Sequence, residues 1–166
     1  MIDTVTRWLE AFGDKRHQTA LNKTLGAIAD RLSCQMTGTA GLVIKAGGSA
    51  LAMSSATVAA HGIVQGVPVT IATSTDMPAL VGTITAGSYN IFAFFIDRAS
   101  TLTVAMGTEG TTLALVTFPP IPEGKALVGY ITVTYASTFT GGTTPLDTAT
   151  TKYISVVGAF DPSILP

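Results

Sequence analysis

The nine residues YNIFAFFID, Tyr89–Asp97, constrain this chain more than any other stretch. In an extended chain successive side chains point to opposite faces. Tyr89, Ile91, Ala93 and Phe95 then point one way, and Asn90, Phe92, Phe94 and Ile96 the other. Both faces read as apolar. An antiparallel strand with one solvated face alternates polar and apolar residues instead. Such a strand is central in its own fold, or a second subunit buries one of its faces. Tyr89, Phe92, Phe94 and Phe95 are therefore candidate core residues and candidate subunit-interface residues at once.

Around this strand the chain carries further β signals. GLVIKA (41–46) is a short strand candidate. Residues 57–73 are rich in β-branched side chains, punctuated by Gly62, Gly66 and Pro68. Residues 101–107 and 111–119 flank the turn GTEG as a hairpin would. ALVGYITVTY (126–135) and KYISVVGAF (152–160) supply the last two strands. Seven or eight short strands with Gly and Pro between them, and no strand–helix alternation, predict a mainly β chain built as an antiparallel sandwich or barrel.

The N-terminal part behaves differently. Nine of the nineteen charged residues lie in the first 31 positions, whereas Gly and Thr concentrate after residue 37. This shift predicts a helical segment over 1–36, as an anchor or oligomerisation element, and a β domain over 37–166. Asp3 or Thr4 can cap a first helix carrying Val5, Leu9 and Phe12, with Ile2 and Trp8 beside them, and Gly13 bends or ends it. A second stripe follows at Leu21, Leu25, Ile28 and Leu32, spaced four, three, four. That is a coiled-coil-like seam. It covers less than two heptads and is marginal alone in water. Its partner is the chain's own β domain, the same helix of a neighbouring subunit, or a foreign protein.

Composition narrows the chemistry. Charged residues are only 11% of the chain and apolar ones 47%, so it folds, but with a weakly charged surface that favours association. The formal charge is −1, which leaves no basic excess for nucleic acid. The single cysteine, Cys34, excludes an internal disulfide and a cysteine-rich metal site. His17 and His61 stand on different elements without companions at ligand spacing. GTEGTT and FTGGTTPLD lack the lysine of a nucleotide loop. No serine stands in a nucleophile elbow, and no carboxylate pair is marked out. No catalytic, cofactor or metal residue is therefore nominated. The start is not a signal peptide, and the longest apolar run, Ile91–Ile96, is too short to cross a bilayer. The chain is expected to be soluble, made in a cytoplasm and not exported by the usual route.

Three stretches carry a resemblance: ITAGSYNIFAFFIDRASTLTVAMGTEG, FPPIPEGKALVGYITV and FTGGTTPLDTATT, within roughly residues 85–150. Ala86-Gly87, Tyr89, Phe92, Ile96-Asp97, Pro120 to Ala126, Gly129, Ile131, Val133 and Phe139 to Asp147 carry the pattern. Together they resemble a family of small tailed-bacteriophage virion proteins, the head decoration, head fibre or auxiliary capsid proteins. Ala99 stands where that family often has glycine. The resemblance implies a non-enzymatic homotrimer on the capsid exterior, bound between major capsid protein subunits, with the helical segment as anchor or axial bundle. It implies no cofactor, no direct nucleic acid and no membrane. The alternative is a tail or fibre β module that binds host-surface carbohydrate. On either reading the glycines of 121–147 shape a strand and a presented loop, with Gly129 leaving room for a neighbour, Gly141-Gly142 reversing the chain, Leu146 tucking in and Asp147 bonding the turn.

Overall fold

The computed structural model describes residues 15–160. The first helix expected around Val5, Leu9 and Phe12 lies outside them. Helix α1 (Lys15–Ser33) passes without a loop into β1 (Cys34–Met36). The strands that follow are β2 (Val43–Ile44), β3 (Ala52–Met53), β4 (Ala60–Val64), β5 (Val67–Ile71), β6 (Thr83–Ile84), β7 (Tyr89–Asp97), β8 (Leu102–Met106), β9 (Lys125–Thr134), β10 (Phe139–Thr140) and β11 (Thr150–Ser155).

A four-stranded sheet of order β11-β9-β7-β8 is the frame. A three-stranded sheet, β1-β4-β5, and two short ribbons, β2-β3 and β6-β10, complete the described strands. All strand pairings are antiparallel. The residues read as one punctuated run at 57–73 are the β4-β5 hairpin. Its two turn residues, Gln65 and Gly66, have φ of 51° and 77°. Positive φ at both positions gives the turn the twist of its flanking strands.

Strand β7 is central, between β9 and β8. Its two apolar rows are both buried by this chain. Phe92, Phe94 and Ile96 join the larger core cluster with Met36, Ile84 and Phe139. Ile91, Ala93 and Phe95 face a second cluster with Val116, Phe118 and Tyr130. In the second cluster Phe118 meets Tyr130 edge-on at 5.4 Å and Phe160 at 5.1 Å. Strand β9 carries an extra residue opposite the step from Phe94 to Phe95. There Gly129 faces Phe94, and a Cβ on it would lie 2.4 Å from the Ile154 carbonyl oxygen. Glycine is required by this approach of backbone to backbone, the close neighbour the sequence led us to expect.

Two expectations are corrected. Among the described residues no sheet closes into a barrel or curls into a sandwich; the fold is mainly β with a short helix and several antiparallel sheets. The reason lies in residues 111–119, expected as a strand. They form a short 3₁₀ turn, Leu113–Leu115, and touch β structure only through the Thr108–Thr117 bridge. Pro119 and Pro120 lack the N–H groups a ladder needs. The segment instead lays Val116 and Phe118 over the second face of the large sheet. A loop covers that face where a sandwich would place a sheet.

The presented loop is anchored at both ends. Phe139 and Leu146 are buried. A Cβ on Gly141 would lie 2.6 Å from the Leu80 oxygen, and Gly142 has φ of 70°. The Asp147 carboxylate accepts the Gly48 N–H at 2.7 Å. It thus ties a neighbouring loop rather than its own turn.

Candidate assembly surface

Helix α1 is amphipathic with its apolar row turned outward. Leu21, Leu25, Ile28 and Leu32 are 50%, 54%, 50% and 65% exposed. Leu, Lys and Ala supply helix propensity through most of its length, and Thr24 spends its hydroxyl on the Ala20 carbonyl one turn back. The opposite face, including Asn22, Lys23, Gly26, Ala27 and Asp30, borders a groove of about 470 Å³. The far wall of the groove holds Ile121, Leu127 and Phe160. At about 3.6 residues per turn, the leucine row and the groove row fall on opposite sides of the helix. The geometry therefore removes one of the three partners open to the seam: it does not pack on its own β domain.

The C-terminal end of α1 is fixed by one acid. Both carboxylate oxygens of Asp30 accept the Gly124 N–H, each at 3.1 Å. Gly124 has φ of 71°, a conformation that favours glycine and turns its N–H toward the helix. The Cys34 thiol donates to Asp30 at 3.6 Å. Burial, with the Asp30 charge adding to it, pushes this thiol up from its ordinary pKa. It stays protonated at neutral pH and is a poor nucleophile. The sequence offered Gly124 only as the entry to a strand. The Asp30–Gly124 contact spans 94 positions, and no local pattern signals it.

The other suspected interface residues lie elsewhere. Phe92, Phe94 and Phe95 are at most 1% exposed and have no surface left for another subunit. Their apolar character is satisfied within the chain, by β9, β8 and the covering loop. Tyr89 is half-buried against the second cluster and exchanges backbone hydrogen bonds with Gly110. The eight residues thus divide: four line an open helix face, three are core and one sits between.

Several other polar groups are spent on structure. Two backbone N–H groups, of Thr101 and Ala99, bind the Asp97 carboxylate and hold its pKa below the usual range. Contacts with Thr85 do the same for Glu109. His61 Nδ1 lies 3.1 Å from the Thr70 hydroxyl. Among the described residues no group of three or more His, Cys, Asp and Glu side chains is placed to hold a metal ion. No described helix is long and apolar enough to cross a membrane. The chain matches no family model, no curated protein and no solved structure.

Proposed function

We propose that this chain is a structural subunit of a virion, assembled as a trimer through α1 and displaying its β body on a capsid exterior between major capsid protein subunits. The observation that carries the assembly is the leucine row, open to solvent and turned away from the body. Written as a heptad, Leu25 and Leu32 take the a positions and Leu21 and Ile28 the d positions. Leucine at a with isoleucine at d favours three- and four-stranded bundles over two-stranded ones, and Ile28 is the one d position that meets this rule. The capsid setting is supported by the resemblance at residues 85–150. A symmetric trimer offers one contact three times, so weak attachment per chain adds up to firm attachment.

Two measurements test the two halves. Light scattering of the full chain over a range of concentrations is expected to give three chains as the smallest assembly. Leu25→Lys with Ile28→Lys is expected to remove that three-chain species with unchanged circular dichroism. A wild type that stays at one chain throughout overturns the self-assembly. Sedimentation with undecorated phage capsids tests the setting, and failure to co-sediment overturns it.

A further inference from the structure

We propose that the free edge of β8 pairs with β8 of a second copy across a two-fold axis, joining two four-stranded sheets into one. This contact is separate from the α1 seam and does not depend on it.

The ladder fixes which groups are free. Asp97 donates to the Thr101 carbonyl and Gly107 to the Ile91 carbonyl. In an antiparallel pair, hydrogen-bonded and non-hydrogen-bonded positions alternate. Thr103 and Ala105 therefore bond inward to Phe95 and Ala93. The N–H and C=O groups of Leu102, Val104 and Met106 point outward, and no described residue bonds them. All five residues of β8 are half-buried, less covered than the enclosed residues of β7.

The outer strands β5 and β11 carry guards within their own sequence, whereas the one charge bonded to β8 is Lys125, which reaches the Thr103 hydroxyl at 3.0 Å from β9, on the face opposite Leu102, Val104 and Met106. Natural edges are blunted by proline, charge or bulges. On β5 the outward position paired with Ile63 is Pro68, which has no N–H. The outer strand β11 carries Lys152 at its middle. Around β8 the run Ala99–Thr108 contains no charge and no proline. Such a run offers a complete template to another strand.

The template is complementary to itself. Centred on Val104, an antiparallel copy sets Val104 against Val104 of the second copy and Leu102 against Met106 of the second copy. These pairs exchange both their hydrogen bonds, so every outward group of β8 is satisfied. The apolar row Leu102, Val104, Met106 already packs on the larger core cluster, and the pairing extends that row across the axis. Isologous contacts of this kind close in pairs. Trimers joined this way form a net across a surface.

The test uses the full chain with Cys34→Ser. A Val104 pair would hold its Cα atoms about 5.5 Å apart, within the range of about 4.4–6.8 Å that a disulfide spans. Val104→Cys is expected to give a disulfide-linked dimer on a non-reducing gel, and Thr70→Cys, on the guarded β5 edge, none. Leu25→Lys added to Val104→Cys should leave the link intact, which separates this contact from the helix seam. Val104→Pro removes the central outward N–H, and Thr101→Lys adds a charge beside the pairing strand. With the helix seam removed by Leu25→Lys and Ile28→Lys, each should abolish the two-chain species in light scattering while melting close to that parent. No link through the introduced thiol beyond that seen with Thr70→Cys overturns the proposal. So does an unchanged mass in both edge variants.

Discussion

Strand β7 and helix α1 carry apolar rows of similar strength, and the chain treats them oppositely. Phe92, Phe94 and Phe95 are enclosed on both faces of a central strand. Leu21, Leu25, Ile28 and Leu32 stand at least half exposed. Apolar content alone therefore does not mark an interface. What separates the two is supply. β7 has neighbouring strands and a covering loop drawn from its own chain, whereas α1 is exposed along both rows from residue 18 to 29 and is tied to the body near Asp30.

Substitutions can break this contrast or sharpen it. The largest effect is expected from Phe94→Ala, which opens a cavity in the core and costs about 3–5 kcal/mol. Urea unfolding should show it, with no change in the mass of the folded fraction. Gly129→Val, opposite Phe94, pushes a side chain against the Ile154 carbonyl and should cost about 1–3 kcal/mol, read in the same way. Asp30→Ala removes the carboxylate that holds Gly124, and about 1 kcal/mol is expected for a half-exposed bond of this kind. Its clearest sign is faster amide exchange at Gly124. Leu25→Lys should move the stability of the isolated chain by less than about 0.5 kcal/mol, measured at dilutions where every variant is monomeric, while still lowering the mass at high concentration. A stability loss there as large as that of Phe94→Ala would erase the contrast between the two rows.

The smallest effect is a pH slope. Folding lowers the pKa of Asp97 from 3.8 and of Glu109 from 4.5. A carboxylate lowered by folding contributes stability that is full above its unfolded pKa and fades as pH falls through the folded one. Melting temperature should therefore drop between about pH 5 and pH 2, less steeply in Asp97→Asn. Equal slopes would show that the Asp97 turn bonds are not formed in solution.

The mainly β class, the two apolar faces of β7 and the stripe on α1 were legible in the sequence because each rests on a local period. Gly129 was legible as a place of close approach, since glycine among branched residues has few other uses, and Gly141-Gly142 as a chain reversal; the press of Gly141 on the Leu80 carbonyl was not. The cover of the second sheet face was not legible. LALV in 113–116 has strand composition, and only its contacts with Phe118 and the bridge at Thr117 make it a lid. The orientation of the leucine row was also hidden. It depends on the Asp30–Gly124 contact, between residues far apart in the chain. The three phenylalanines show the same limit, because a strand that reads as two-faced does not say whose atoms cover it.

The passage from α1 to β1 has a mechanical consequence. Ser33 ends the helix and Cys34 begins the strand, with no residue between them. A turning force on the helix is delivered directly to β1 and through it to the β4-β5 hairpin. The angle between helix and β body is then set at that junction and at the Asp30–Gly124 contact beside it, as by a lever on a pin with one stay, and is not averaged by a slack tether.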